Sequence, residues 1–323
     1  MNERILVTGS YGQIGTELTH KLRGLYGDSN VIATDITPAP ESLEATGPTR
    51  YLDVTDPHQV TALVVENKIT RIFHLAAILS GNGELNPQQC WNVNMNGLYN
   101  ILETARRWGV KQVITPSSIA AFGPDTPKEH TPIDTILRPT TMYGITKVAG
   151  ELLNEYYNQK YGLDARSLRF PGIVSHETEP GGGTTDYAVD MYVKAVAGES
   201  YSCFVTPDTT LPFLYMPDAL DALLNLSAAD DAALVHRTFN ITGFSASAQD
   251  IADSVRHRIP EFQCRFEPDF RQIIAESWPR SIDDHDARSE WGWQPAYNLE
   301  AMTDDMINKL RDKPTASQPA RPA

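Results

Sequence analysis

The first half of the chain alternates short apolar runs with stretches in which apolar residues recur at helical spacing. Four of these stretches predict helices, at residues 16–25, 58–67, 88–108 and 143–162. The apolar runs predict buried strands, at residues 4–8, 30–34, 50–55, 71–75, 111–115 and 164–170. Regular alternation of strand and helix is typical of an α/β protein with a doubly wound parallel sheet.

Beyond residue 170 the pattern changes to shorter, mixed elements, which predict a smaller α/β lobe at the C-terminal side. The expected elements are helices at 187–197, after Pro217-Asp218, at 248–258 and at 299–311, a strand at 238–242, and a strand pair across 201–215. We expect the domains to be residues 1–170, with returns around 210–242, and an interleaved lobe at 171–312, followed by a disordered tail at 313–323.

The composition is that of an ordinary globular protein, with 41% hydrophobic and 21% charged residues. A net charge of -14 argues against nucleic acid or an anionic membrane as the main partner. No apolar run approaches the roughly 18 residues of a membrane span, and no signal-peptide pattern is visible, so a cytoplasmic location is expected. Cys90, Cys203 and Cys264 lie far apart and form no ligand set with histidines, so we expect no metal.

A glycine-rich turn joins the first predicted strand to the first predicted helix. Gly9, Gly12 and Gly15, with Gln13 and Ile14 between the last two, form the pattern Gly-x-x-Gly-x-x-Gly. Glycines permit a tight turn and the close approach of a pyrophosphate, whose charge is favoured by the helix N-terminus. The strand–turn–helix context therefore predicts a dinucleotide site of the Rossmann type.

Residues at the ends of the later strands complete the predicted cofactor site. Asp35 ends the second strand, about twenty residues after the third glycine, where a carboxylate accepts from ribose hydroxyls and repels a 2′-phosphate. The expected cofactor is therefore NAD and not NADP, unless Asp35 is a solvated turn residue. Asp53 and Val54 follow the third strand, where Asp53 could meet the adenine amino group. Small residues that suit a flat ligand end the fourth strand: Leu75, Ala76 and Ala77.

Tyr143 and Lys147 lie four residues apart at the start of a predicted helix, so their side chains share one face. An ammonium in that position can favour the ionised phenol and lower the pKa of the tyrosine. A tyrosine tuned in this way can take a proton from an alcohol near neutral pH. Ser117 and Ser118 follow the strand at 111–115 and are expected at the same edge of the sheet.

Two segments and one tryptophan are candidates for substrate contact. The polar loop at 78–87 follows the fourth strand, and the flexible, glycine-rich loop at 180–186 precedes a helix whose free NH groups could hold a small carboxylate. A plain linker is the alternative for the glycine loop, and core packing is the alternative for the tryptophan. The candidate residues are Ser80, Thr184, Thr185 and Trp278.

Together these motifs resemble the extended short-chain dehydrogenase/reductase family over nearly the whole chain. The motifs are Gly9-x-x-Gly12-x-x-Gly15, Asp35, Asp53-Val54, Leu75-Ala76-Ala77, Asn94, Ser117-Ser118 and Tyr143-x-x-x-Lys147. The resemblance implies a tyrosine base, a lysine that lowers its pKa and holds the nicotinamide ribose, and a serine that polarises the reacting oxygen, with Ser118 favoured over Ser117. It also implies cofactor contacts at Asn94 and Ile173, and a homodimer that packs through the helices at 88–108 and 143–162.

Most members of that family act on nucleotide sugars and carry Arg-x-x-Asn-x-x-Gly after the sixth strand. This chain reads Arg169-Phe-Pro-Gly-Ile-Val174, with Pro171 where the asparagine that serves the sugar nucleotide is expected. Its stretches at 116–124, 138–147, 181–190 and 277–279 resemble the short-chain branch of L-threonine 3-dehydrogenases, although Ser118 stands where that branch commonly has threonine. The resemblance implies oxidation of the 3-hydroxyl of L-threonine to 2-amino-3-oxobutanoate.

Two alternatives to this activity stay open from the sequence. The first is an NAD-dependent nucleotide-sugar epimerase or dehydratase. The second is a non-catalytic nucleotide-binding regulatory protein, although relatives of that kind typically lose the tyrosine or the lysine, and this chain keeps both.

Overall fold

The computed structural model describes residues 3–177 and 181–313. Pro180, at the start of the predicted glycine loop, and the predicted tail from residue 314 onward lie outside the described residues. Within the described ranges, no helix is long and apolar enough to cross a membrane.

The main sheet has the strand order β11-β7-β5-β4-β1-β2-β3, with β6 beside β7, and every pair in it is parallel. The strands are β1 (Ile5–Thr8), β2 (Val31–Asp35), β3 (Thr49–Tyr51), β4 (Arg71–His74), β5 (Gln112–Ile114), β6 (Ser117–Ser118), β7 (Asp164–Phe170), β8 (Gly172–Val174), β9 (Tyr201–Cys203), β10 (Thr210–Tyr215), β11 (Thr238–Asn240), β12 (Phe244–Ser247) and β13 (Cys264–Phe266). This topology confirms the predicted doubly wound α/β fold. Its order reverses between β1 and β4, where such sheets open a crevice at the carboxyl ends of the strands.

Helices cover both faces of the main sheet, and others pack together in the C-terminal lobe. They are α1 (Gln13–Tyr26), α2 (Glu41–Glu44), α3 (Pro57–Glu66), α4 (Ser80–Leu85), α5 (Pro87–Trp91), α6 (Leu98–Trp108), α7 (Met142–Tyr161), α8 (Tyr187–Val196), α9 (Met216–Ala228), α10 (Ala248–Arg258), α11 (Arg271–Ser277), α12 (His285–Trp291) and α13 (Leu299–Asp312). The helices that pack together in the lobe include α8, α10 and α13. The helix predicted at 88–108 is present, but a π-helical segment at Asn92–Gly97 separates α5 from α6.

Strand β1 shows why the sheet is covered on both faces. Ile5 and Val7 pack into a core with residues of α1 and α9, whereas Leu6 packs into a second core with residues of α3 and α6. A parallel strand that is apolar at successive positions must bury both of its faces.

The prediction of a loop at 78–87 is wrong, because the short helix α4 forms there. Its glycines serve close packing, not flexibility. A Cβ atom added at Gly83 would lie 3.0 Å from Cys90 Sγ and 3.6 Å from Tyr143 Cβ. The helix is therefore held between α5 and the start of α7.

The predicted pairing of two strands across 201–215 is also wrong, although both strands are present. Strand β9 pairs with β13, whereas β10 pairs with β8 and β12 in a separate sheet. The residues that would form the hairpin turn include Phe204 and Val205, which are buried in the core of the C-terminal lobe. Burial of these apolar side chains draws β9 and β10 apart.

Candidate active site

A cavity of about 690 Å³ runs along the carboxyl ends of the main-sheet strands and extends under the C-terminal lobe. A cavity of this size is in the usual range for a cofactor or ligand site. Every predicted site residue except Asn94 lines it: Gly9, Gly12, Gln13, Ile14, Gly15, Asp35, Asp53, Val54, Leu75, Ala76, Ala77, Ser80, Ser117, Ser118, Tyr143, Lys147, Ile173, Thr184, Thr185 and Trp278.

The glycine turn fits a dinucleotide. Gly9 has φ +65°, and a Cβ atom there would lie 2.5 Å from the backbone nitrogen of Ala76. A Cβ atom at Gly15 would lie 2.2 Å from the carbonyl oxygen of Gly9, whereas Gly12 has no neighbour closer than 3.5 Å. The side-chain nitrogen of Gln13 is buried with no hydrogen-bond partner in the described part of the chain. An unpaired donor beside the N-terminus of α1 suits the anionic pyrophosphate.

Asp35 and Asp53 line the cavity together with the glycine turn, and their contact with the adenosine stays a prediction. Asp35 accepts hydrogen bonds from the backbone nitrogens of Tyr11, at 3.2 Å, and Ile36, at 2.7 Å. Asp53 accepts from the backbone nitrogen and the hydroxyl of Thr55, at 2.9 and 2.7 Å. These bonds hold both side chains at the ends of their strands.

The N-terminus of α7 brings Tyr143 beside Ser118. Thr141 caps the helix by accepting from the backbone nitrogen of Gly144 at 3.1 Å. A Cβ atom at Gly144 would lie 2.2 Å from the carbonyl oxygen of Ala120, so glycine lets the helix start close to the turn that follows Ser118. The Ser118 hydroxyl hydrogen-bonds to Tyr143 and lowers its pKa, while the Ser118 oxygen also accepts from Ala120 at 3.1 Å.

Ser117 has a different partner. Its hydroxyl donates to Glu151 at 2.5 Å, and Glu151 is also bound by the Arg169 guanidinium at 2.9 and 3.0 Å. The sequence left both serines as candidates for the catalytic hydroxyl. The geometry favours Ser118, since Ser118 is the serine bonded to Tyr143.

The expected lowering of the Tyr143 pKa by Lys147 is not what the structure shows. Burial raises the pKa of Tyr143 to about 12, and the Ser118 hydrogen bond only partly offsets that effect. Burial also lowers the pKa of Lys147 to about 8, although Glu151 acts in the opposite direction. Lys147 donates to the carbonyl oxygen of Pro116 at 2.8 Å. The protein alone therefore keeps Tyr143 protonated, because desolvation penalises the phenolate more than the Ser118 hydroxyl stabilises it.

Asn94 lies in the wall behind the cavity. Its amide accepts from the backbone nitrogen of Ile78 at 2.8 Å and donates to the Ile78 oxygen and to Thr146, each at 3.1 Å. These bonds tie the segment after β4 to α7. Asn94 therefore positions Ile78, and its expected contact with the cofactor stays a prediction.

The other end of the cavity is closed by α4 and the glycine loop. The hydroxyls of Ser80 and Thr184 hydrogen-bond at 3.1 Å, and Asn82 donates to the Gly181 oxygen at 3.3 Å. A Cβ atom at Gly81 would lie 2.9 Å from the Gly182 oxygen. Two predicted substrate residues that are 104 positions apart in sequence thus meet directly.

The variant Gly81→Ala should push the glycine loop away from α4, because the added methyl group would contact the Gly182 oxygen. We expect the KM for the substrate to rise about tenfold, with a small change in the KM for NAD, measured by steady-state kinetics. Gly24→Ala is the matched control, because a Cβ atom there has no neighbour within 4 Å. Equal KM values for the two variants would contradict this closure.

The sequence reasoning missed Asp186, which lines the same end of the cavity. Its carboxylate accepts from the backbone nitrogens of Gly182 and Gly183 at 2.9 and 2.7 Å. Burial raises the pKa of Asp186 to about 6, although these two bonds favour the ionised form. Asp186 directly follows the predicted substrate residues Thr184 and Thr185. An amino-acid ligand needs an anionic partner for its ammonium group, and this need could have identified Asp186 from the sequence.

A second group of chemically active residues lies away from this cavity. His236, Asp286 and Glu290 have potential ligand atoms within 4.8 Å of one another. His236 Nδ1 and Glu290 Oε1 are already hydrogen-bonded at 2.5 Å, and Glu290 also accepts from the backbone nitrogen of Val235. The hydrogen bond between His236 and Glu290 explains why these side chains lie close together, and we assign no metal to this group.

Residues 5–242 match the model of the NAD dependent epimerase/dehydratase family. The chain belongs to this family. Membership confirms the predicted resemblance and the expected cofactor, NAD, and the protein is an enzyme of the NAD-dependent epimerase/dehydratase family.

The chain is similar over nearly its whole length to an uncharacterized epimerase/dehydratase and to L-threonine dehydrogenases of known structure. An uncharacterized epimerase/dehydratase from Staphylococcus saprophyticus is 48% identical over 97% of this chain and 99% of its own length. The holo form of a GalE-like L-threonine dehydrogenase from Cupriavidus necator has 47% identity and a TM-score of 0.93, over 95% of this chain and 99% of that one. A monomeric L-threonine 3-dehydrogenase from a metagenome has 45% identity and a TM-score of 0.92, over 95% and 98%.

Proposed function

We propose that this enzyme oxidises the 3-hydroxyl of L-threonine to 2-amino-3-oxobutanoate with NAD+ as the oxidant. The observation that carries the proposal is that Asp186 and the Ser80–Thr184 pair line the same cavity as Tyr143 and Ser118. A carboxylate and several hydroxyls suit a small zwitterion with a hydroxyl group. The solved L-threonine dehydrogenases at 45–47% identity support the same substrate.

Each side chain has a role in the proposed reaction. NAD+, when bound, supplies the hydride acceptor and a positively charged ring. Tyr143 must first lose its own proton, which the positive charges of Lys147 and of the nicotinamide ring would favour. Its phenolate Oη then accepts the proton of the 3-hydroxyl, and Ser118 Oγ holds the same oxygen in place. Lys147, fixed by the Pro116 carbonyl, lies 5.2 Å from the centre of the Tyr143 ring and adds positive charge near the phenol.

The remaining residues are proposed to hold the amino-acid part of the substrate. Asp186 binds the ammonium group, and Thr184, Thr185 and Ser80 surround the carboxylate and the hydroxyl. Trp278 closes the apolar side near the methyl group. A substrate this small is best selected by buried polar groups that a wrong ligand would leave unpaired.

The nucleotide-sugar alternative is disfavoured at residue 172. Counted from Arg169, the pattern Arg-x-x-Asn places the asparagine at residue 172 and not at Pro171 as expected, and this chain has glycine there. A Cβ atom at Gly172 would lie 2.7 Å from the Phe213 ring and 3.0 Å from Thr185 Cβ. The space for the asparagine side chain is therefore filled by neighbouring residues.

The test is NADH formation, followed by absorbance, from purified enzyme with NAD+ and L-threonine. We expect a signal with L-threonine and little with L-serine, D-threonine, L-allo-threonine, or NADP+ in place of NAD+. A UDP-glucose reaction, assayed for epimerised or dehydrated product, is the comparison. Turnover of the sugar nucleotide without oxidation of L-threonine would move the enzyme to the epimerase–dehydratase side of the family.

Two further expectations stay predictions. The cytoplasmic location is one, and the homodimer through the helices at 88–108 and 143–162 is the other. Trp91, Tyr99, Leu152 and Tyr156 on these helices are exposed, which is consistent with an interface. The monomeric relative shows that a dimer does not follow from the fold.

A further inference from the structure

The side chain of Lys128 ends at the C-terminus of α11. Its ammonium donates to the carbonyl oxygens of Glu276, Ser277 and Trp278, at 3.1, 2.7 and 3.3 Å. A lysine ammonium has three N–H donors, so this set of acceptors uses all of them. Lys128 lies in the long segment between β6 and α7, about 150 residues away in sequence.

The backbone of Lys128 is tied to the same region. Its carbonyl oxygen accepts from the backbone nitrogens of Arg280 and Ser281, at 2.8 and 3.2 Å. The backbone nitrogen of Thr131 donates to the Ser281 oxygen at 3.0 Å, and Thr131 forms a bridge with Ile282. The backbone bonds hold the chain after Trp278, and the ammonium holds the chain up to and including Trp278.

Among the described residues, Lys128 is the side chain that donates to the last carbonyls of α11. Trp278 is its C-cap residue, in an extended conformation with φ -91° and ψ 162°, and Pro279 follows. A helix end of this kind lacks the glycine that commonly satisfies the last carbonyls. A cation at the negative end of the helix meets that need and fixes the angle at which the chain leaves it.

That angle decides where the Trp278 side chain lies. Trp278 is 5% exposed, lines the substrate end of the cavity and belongs to the same core as Tyr143. We propose that Lys128 is a positioning residue that sets Trp278 against the substrate end of the cavity. Its effect on kinetics rests on the proposed function, whereas its effect on Trp278 does not.

The first readout tests the position of Trp278 without catalysis. The emission of Trp278 in the Lys128→Met variant is the spectrum of Lys128→Met minus that of Lys128→Met/Trp278→Phe. The emission of Trp278 in the native enzyme is the wild-type spectrum minus that of Trp278→Phe, and the two difference spectra are compared. We expect the Trp278 emission to shift to longer wavelength in Lys128→Met, since the indole loses its fixed buried place. Arg280→Gln is the matched control. Arg280 is an exposed cation two residues after Trp278, and its guanidinium pairs with Glu129 and donates to none of the three carbonyls.

The second readout is steady-state kinetics of the folded variants with L-threonine and NAD+. We expect Lys128→Met to raise the KM for L-threonine about tenfold, with kcat and the KM for NAD+ nearly unchanged. Its effect should not add to that of Trp278→Phe in a double-mutant cycle.

If Lys128→Met does not fold, Lys128→Gln is used, since its amide keeps two donors. An unshifted emission, or equal changes in the KM values for L-threonine and NAD+, would overturn the proposal. A wild-type enzyme inactive on L-threonine would overturn the proposed function and leave the emission test standing.

Discussion

Tyr143→Phe should lower kcat for L-threonine oxidation by about 10³-fold, because general acid–base catalysis by one side chain contributes roughly 10²–10⁴-fold. The phenolate of Tyr143 is the proposed acceptor of the substrate proton, beside Ser118. Affinity for NAD+ should survive, because the ring that fills the pocket remains and the glycine turn is untouched. Stopped-flow or steady-state NADH formation measures the first quantity, and calorimetric titration with NAD+ measures the second.

Tyr187→Phe is the matched control for this variant. Tyr187 is fully buried in the same core, and its hydroxyl has no hydrogen-bond partner in the described part of the structure. Removing that hydroxyl should leave turnover and stability close to those of the native enzyme. Substantial turnover by Tyr143→Phe would remove the tyrosine from its proposed role as base.

Asp186→Asn should raise the KM for L-threonine about a hundredfold, because the buried ammonium of the substrate would lose its ionic partner. The asparagine keeps an acceptor for the backbone nitrogens of Gly182 and Gly183, so the loop should hold its shape. Glu199→Gln is a suitable control, since Glu199 is an exposed carboxylate paired with Lys194 at the other end of α8. Normal KM in Asp186→Asn would show that another group receives the ammonium.

The same carboxyl predicts a pH dependence. Burial raises the pKa of Asp186 to about 6, so the carboxyl is ionised above this pH and neutral below it. The substrate ammonium binds the ionised form, and the KM for L-threonine should therefore rise as the pH falls through 6. In Asp186→Asn the KM should be high and flat across that range. A native KM that does not change between pH 5 and 7 would contradict this role (the pH limits are roughly one unit either side of that pKa).

The sequence predicted those parts of the site that depend on residues close together in the chain. The glycine turn, Asp35 and the Tyr143–Lys147 pair are set by local spacing, because a strand, a tight turn and a helix place their residues at fixed offsets. The order of strands and helices likewise predicted the parallel sheet. These features needed no knowledge of distant contacts.

The tertiary structure decided everything that depends on burial or on partners far away in sequence. It separated Ser117 from Ser118 through the contact with Glu151, and it added Asp186 to the substrate end. It reversed the expected direction of the Tyr143 pKa, because desolvation depends on the whole surrounding core. It also joined Lys128 to the end of α11. Local patterns specify elements and their ends, whereas only the packing of those elements fixes which side chains meet and how strongly water is excluded from them.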